Sequence, residues 1–160
     1  AIVTGHRAED FNSAEEAFAF LEKLEKILYK AGGSDYTCPA QSAASFLRGE
    51  KPQIPSKTSY SLGLRSCAMS NLLPGNVFKA LKRALMHFDK SAHGFVANGT
   101  LVVMETRVSS PVRFERDPLT FESSLPGLYT AGEGAGLAGG ISSAAIDGMK
   151  AAEALLLKKF

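Results

Sequence analysis

Apolar residues first recur at helical spacing between residues 14 and 31. Ala17, Phe20, Leu21, Leu24, Ile27, Leu28 and Ala31 fall on one face of a helix, and Glu22, Lys23, Glu25 and Lys26 fall on the other. Ser13-Ala14-Glu15-Glu16 opens this helix as a capping box, the Ser13 hydroxyl accepting from the Glu16 N–H. Gly32-Gly33 closes it, where a positive φ is needed. A short second helix is expected from Pro39, a residue suited to the first helical position, through Ala43, Ala44, Phe46 and Leu47 to a stop at Gly49. A third is expected from Pro74-Gly75 to about Gly94, with Val77, Leu81, Leu85 and Phe88 as its apolar stripe. Between them, residues 49–73 show no clean period. They read as a long ordered loop or short pieces, pinned by Ile54, Tyr60, Leu62 and Leu64, and a loop of that length is unusual without a role.

Beyond residue 97 the pattern changes from helical to extended. Leu101-Val102-Val103-Met104 is a continuous apolar run of the kind found in strands buried on both faces. Val112–Glu115 and Leu128-Tyr129-Thr130-Ala131 are read as two further strands, separated by turn residues in Arg116-Asp117-Pro118 and Leu125-Pro126-Gly127. Ile141–Leu157 then reads as a helix with Ala145, Met149, Ala152 and Leu156 on one face. The expected class is α/β in the mixed α+β sense: residues 1–97 mostly helical, residues 98–160 a strand–loop–helix region. Ala1-Ile2-Val3-Thr4 reads as a strand already under way, as expected of a chain that is part of something longer.

Composition narrows the function classes. With 160 residues and 45% apolar content the chain can build a core. A net charge of +2 is too small to point to nucleic acid or an acidic membrane surface, and no apolar run approaches a bilayer span. Cys38 and Cys67 lie far apart with no ligand spacing, so no metal site is expected, and a reducing cytoplasmic compartment fits best. His6, His87 and His93 lack partners at catalytic spacing, and His87 shares its helix with Lys82, Arg83 and Lys90, a face read as solvated. No serine sits in a GxSxG elbow.

Two constellations carry candidate chemistry. Gly134-Ala135-Gly136-Leu137-Ala138-Gly139 formally matches GxGxxG at a strand–helix junction. A complete dinucleotide unit requires a second strand with an acidic residue after the helix, and here only Lys158-Lys159-Phe160 follow. The five glycines from Gly132 to Gly140 nevertheless remove side chains where something must approach the backbone. The helix after Gly140 offers unpaired N–H groups and a positive dipole end, and Glu133 is placed to accept from hydroxyls. A tight crossover with no ligand is the competing reading. The second constellation runs from Glu105 to Arg113, where Thr106, Arg107, Ser109, Ser110 and Arg113 could bind a carboxylate, phosphate or carbonyl. Its competitor is a structural one, with Glu105 paired to an arginine and the serines capping turns.

In this order, ETRVSSPVRFERD (105–117) and GLYTAGEGAGLAGGISSAAIDG (127–148) resemble the C-terminal region of the uncharacterised FAD-dependent dehydrogenases of bacteria. YTCPAQSAASFL (36–47) and TSYSLG (58–63) extend the resemblance back to about Tyr36. It implies a flavoprotein of the two-dinucleotide-binding-domain type, whose N-terminal half carries the GxGxxG for the ADP moiety and is the partner of this region. On that resemblance Gly132, Glu133 and Gly134 match a glycine–acidic loop reaching the ribityl and pyrophosphate of FAD, with Glu133 where many relatives have Asp. Gly139, Gly140 and Ile141 match a helix start at the isoalloxazine ring, whose dipole would stabilise negative charge on reduced flavin. The helical residues 1–97 would then be a substrate or cap segment, and 98–160 the last part of the FAD domain. The parent would be an oxidoreductase acting on a small molecule, and this chain alone would bind FAD weakly or not at all. The alternative is a non-enzymatic interaction module.

Overall fold

The structure, a computed structural model, describes residues 2–103, 106–107 and 109–158. It divides into two compact units, the first made of Ala1–Asn12 with Phe18–Thr106, the second of Ser13–Ala17 with Arg107–Phe160.

The first unit is built around a three-stranded mixed sheet in the order β2-β1-β3. The central strand β1 (Cys38–Ser42) pairs parallel with β2 (Leu64–Ser66) and antiparallel with β3 (Thr100–Val102). As a central strand it is buried on both faces, from Cys38 through Gln41. Helix α1 (Ala14–Gly32) keeps the expected capping hydrogen bond, Glu16 N–H to Ser13 Oγ at 3.2 Å, and buries Ala17, Leu24 and Leu28 of the expected stripe while Ile27 stays exposed. It ends where Gly32 leaves room for the Thr37 carbonyl and the Pro39 ring, and where Gly33 adopts φ 109° against the Arg65 guanidinium.

Pro39 is therefore not the first residue of a helix. It lies inside β1, its carbonyl accepting from Val103 N–H at 3.1 Å, and the following helix α2 (Ala43–Arg48) starts later with Ser42 as its cap. Ser42 Oγ accepts from Ser45 N–H at 3.2 Å, and Gly49 closes the helix at φ 69°. The core forms where α2 meets α3 (Gly75–Ser91): Ala43, Phe46, Met69 and Leu85 are fully buried, flanked by Leu47, Leu73, Phe78 and Leu81. Phe46 and Phe78 stack edge to face with centroids 4.8 Å apart. Gly94, expected to stop α3, instead takes φ 86° ahead of the short helix α4 (Phe95–Asn98). Gln41, buried in β1, satisfies its side chain by accepting from Met69 N–H at 3.1 Å.

The period-free stretch 49–73 is ordered by polar anchors more than by the apolar residues expected to pin it. Gln53 O accepts from Ser42 N–H at 2.6 Å, Tyr60 Oη donates to Tyr36 O at 2.8 Å and Ser66 Oγ donates to Pro52 O at 3.0 Å. Leu64 enters β2, whereas Leu62 is exposed.

In the second unit the closing helix α5 (Ile141–Leu157) has the expected limits. The two strands expected before it, at 112–115 and 128–131, are not formed; among the described residues the β-type pairing here is limited to the isolated antiparallel bridges Arg116–Ser123 and Glu122–Tyr129. An extended segment becomes a strand only when a neighbour pairs with it over several residues, and among the described residues 128–131 gains a single bridge at Tyr129 and 112–115 none. Ile2–Thr4 forms no strand, and the apolar run at 101–104 is not buried on both faces: β3 covers Thr100–Val102 at the edge of the sheet with Val102 exposed, while Met104 lies outside the described residues.

Candidate functional site

The glycine loop belongs to the second unit and is fixed from both sides. Gly132 takes φ 77° and Gly136 φ 71°, conformations that favour glycine. At Gly136 a Cβ would collide with the Val112 carbonyl and the Arg113 Cα, and Phe114 N–H donates to Ala135 O at 2.9 Å. The loop folds on itself through Gly136 N–H to Glu133 O at 2.9 Å. These two glycines answer to the fold of the chain.

The remaining three do not. A Cβ built at Gly134 or Gly139 meets no atom within 4 Å, and neither residue has a positive φ. At Gly140 a Cβ meets only Ser143 Oγ, at an ordinary 3.7 Å, and φ is an extended −166°. Gly140 occupies the cap position of α5 and has no side chain with which to accept from the first-turn N–H groups, so those donors stay directed out of the helix. Beside them Ile141 is 93% exposed. Glu133 is exposed as well, at the rim of the loop.

A pair outside the sequence-derived candidates holds this arrangement. Asp147, on the inward face of α5, accepts Arg116 Nη2–H at 2.6 Å and Nη1–H at 3.0 Å, and also accepts Gly132 N–H at 2.8 Å. Arg116 Nη1 reaches the Thr130 carbonyl at 2.6 Å, and its guanidinium lies 4.3 Å from the Phe121 ring centroid. The two side chains are only 11% and 15% exposed, a bidentate pair well withdrawn from water. Arg116 and then the Gly132 N–H hold the Asp147 carboxyl below its ordinary value. One carboxylate thus ties the start of the loop, the segment before it and the closing helix together. The sequence signal was a single Asp among small and apolar residues in the first half of the helix, with an Arg in the motif upstream; reading Arg116 only as turn chemistry missed it.

The second constellation is brought to the loop in part. Val112 and Arg113 lie against Gly136, and Arg113 is exposed. Ser110 Oγ accepts from Val112 N–H at 3.4 Å, a turn-capping role, while Ser109 and Arg107 are exposed. Thr106 falls in the first unit, where its hydroxyl donates to Glu25 at 3.2 Å. Glu105, the residue expected to pair with an arginine, lies outside the described residues. An apolar cavity of about 510 Å³ in the first unit, lined by Leu81, Leu85, Phe88, Leu101 and Val103 among others, includes none of the candidates. No group of three or more His, Cys, Asp or Glu side chains suited to a metal ion occurs among the described residues, and no described helix is long and apolar enough to cross a membrane.

An uncharacterised protein of Clostridium beijerinckii (strain ATCC 51743 / NCIMB 8052) is 35% identical to this chain over 166 aligned positions, which cover 99% of the chain and 31% of that protein. The chain thus spans less than a third of the length of this relative, and the alignment runs through the glycine loop and α5. The model of one family, FAD-dependent protein, C-terminal domain-like, matches residues 1–108, more than half of the chain. The chain belongs to the FAD-dependent protein, C-terminal domain-like family.

Proposed function

We propose that this chain is the C-terminal part of an FAD-dependent oxidoreductase and that its glycine loop and the start of α5 contact the flavin. The observation that carries the reading is the division among the loop's glycines. Gly132 and Gly136 are required by backbone conformation and packing, whereas Gly134, Gly139 and Gly140 meet nothing in the chain that forbids a side chain. A structural crossover accounts for the first two only. Bare backbone facing outward, next to the undirected N–H donors of a helix start, is what a cofactor pressing on the main chain requires.

The residues fit FAD in kind. Gly132, Glu133 and Gly134 would hold its ribityl and pyrophosphate, the acidic side chain accepting from hydroxyls. Gly139, Gly140 and Ile141 would face the isoalloxazine, with apolar contact from the exposed Ile141 and the positive helix end toward the polar edge of the ring. When bound, FAD supplies hydride acceptance and donation. The chain's own part is to orient the ring and to place helix dipole where negative charge accumulates on reduction. Arg107, Ser109, Ser110 and Arg113, all in the second unit, are proposed as a substrate-facing or flavin-facing wall for a small-molecule substrate. The ADP-binding half is assigned to an N-terminal domain of the longer parent.

The test is purification of the full-length parent and its visible absorption spectrum. Stoichiometric flavin is expected, together with loss of most of it in the double variant Gly134→Val, Gly139→Val. A colourless parent that takes up no added flavin sinks the reading, as does a double variant with full flavin content. The 160-residue chain alone is expected to quench FAD fluorescence weakly or not at all.

A further inference from the structure

The second unit has almost no core. Its fully buried apolar residues among those described are alanines: Ala17, Ala135 and Ala151. None of its large apolar side chains among the described residues is buried: Leu137 and Leu155 are half-buried, and Phe114, Leu119, Leu125 and Leu128, with Ile141, Ile146, Met149, Leu156 and Leu157 along α5, are exposed. That helix is apolar on two sides. The inner side carries Ala144 against Gly132, then Asp147 and the buried Ala151. The outer side is the stripe Ile141, Ala145, Met149, Ala152 and Leu156, all exposed, with Met149 at 64% and Leu156 at 83%. Its third side is polar, with Ser142, Ser143, Lys150 and Glu153 exposed, so the outer stripe is a second apolar face that the described residues of its own unit leave uncovered.

We infer that the outer face of α5 is the surface on which the remainder of the parent polypeptide packs, and that the same body closes the loop side of the proposed flavin site. The stripe begins at Ile141, the residue beside the open helix start, so whatever covers the stripe stands next to the loop. Alanine at two of its five positions gives a flat strip on which another layer can approach closely. The stripe alone is too small to hold a second copy of this chain. Seventeen residues make a helix about 25 Å long and about 10 Å wide, so the face offers roughly 250 Å². A stable association of separate chains needs about 800 Å² from each partner. A segment of the same polypeptide escapes that requirement, because tethering raises its effective concentration to the millimolar range. More than two thirds of the related clostridial protein lies outside the aligned region, enough chain to supply such a layer.

This inference rests in part on the flavin reading for its second clause, and the experiment separates the two. Oxidation of Met149 by hydrogen peroxide is followed by peptide mass spectrometry in the 160-residue chain, in the full-length parent and in the parent stripped of flavin, each relative to the guanidinium-unfolded protein. Met149 is expected to react at nearly the unfolded rate in the short chain and at least tenfold slower in the parent, with or without flavin. Protected Met149 in a parent that never binds FAD upholds the docking face and sinks the flavin reading. Equal rates in chain and parent overturn the docking face, whatever the flavin content. Protection seen only with flavin bound, or in the short chain as its concentration rises, overturns it too, assigning the cover to the cofactor or to a second copy. In a companion measurement, Ala145→Glu should leave the melting temperature of the short chain unchanged and lower that of the parent by several degrees. No change in either protein overturns the inference.

Discussion

At the scale of single residues, the second unit depends on Asp147 more than on any apolar contact. Replacing it by Asn removes a charge-assisted bidentate pair and leaves the Arg116 guanidinium, 11% exposed, without a counter-charge. A fully buried pair broken in this way costs about 3–5 kcal/mol; the residual exposure lowers the expectation for Asp147→Asn to about 2–3 kcal/mol, read from denaturant melts. The pH dependence follows from the direction of the carboxyl shift. Because Asp147 is held below its ordinary value, its contribution is complete above the unfolded pKa of about 3.9 and is lost as pH falls through the lower folded value. Glu122, lowered by Lys158 and by the Gly127 N–H, adds to the same acid limb. Asp147→Asn should therefore shallow the loss of stability below about pH 4, and an unchanged limb would mean that the pair contributes little. The glycines make a second residue-scale contrast. Gly136→Ala forces a Cβ into the Val112 carbonyl at positive φ and should cost about 2–4 kcal/mol, whereas Gly134→Ala should stay within about 0.5 kcal/mol. Equal costs would remove the distinction on which the proposed function stands.

At the scale of elements, what the sequence made legible was what periodicity encodes. The three long helices came out near their true limits, because each has a sustained 3.6-residue pattern and either a cap or glycine boundaries. The strand β1 was hidden, since Cys-Pro-Ala-Gln-Ser has neither alternation nor β-branched residues, and Pro39 carries a helix-start signal of its own. Its strand character comes from tertiary context: Gly32 clears space for its ring, and β2 and β3 pair on either side. The opposite error arose at 112–115 and 128–131, where local propensity is extended but the described residues offer no more than an isolated bridge at Tyr129. The candidate site was legible as far as its glycines and helix start, which are contiguous in sequence. Asp147 and Arg116 were not, being 31 positions apart and joined only by folding. An element-scale test follows for the concealed start of α2. Ser42→Ala removes the cap that Ser45 N–H and Oγ both use and should cost about 1 kcal/mol, against about 2–5 kcal/mol for Leu85→Ala in the core beneath α3. A cap effect near zero would return the helix start to Pro39.

At the scale of the whole molecule, the two units differ in what can hold them folded. The first owns a contiguous buried cluster of Phe46, Met69 and Leu85 and a central strand hydrogen-bonded on both edges. The second owns, among its described residues, buried alanines, one withdrawn ion pair and two isolated bridges. Apolar burial contributes about 25 cal/mol per Å², so a unit that leaves five of its leucines, Ile141, Ile146 and Met149 exposed forgoes much of the stabilisation open to its composition. Ion pairing at Asp147 offsets only part of that deficit. Local opening should accordingly be far easier in the second unit, and amide exchange measures it directly. In the 160-residue chain, amides of α2, β1 and the middle of α3 should exchange only through global unfolding. Those of α5 and of residues 128–140 should exchange at least a hundredfold faster, a gap of about 2.7 kcal/mol in opening free energy. In the full-length parent the α5 amides should slow to the rate of the first unit, because the layer that covers Ala145 and Met149 adds the missing burial. If α5 in the short chain were as protected as α3, burial of alanines alone would suffice to hold the second unit, and the docking face on α5 would fall with that result.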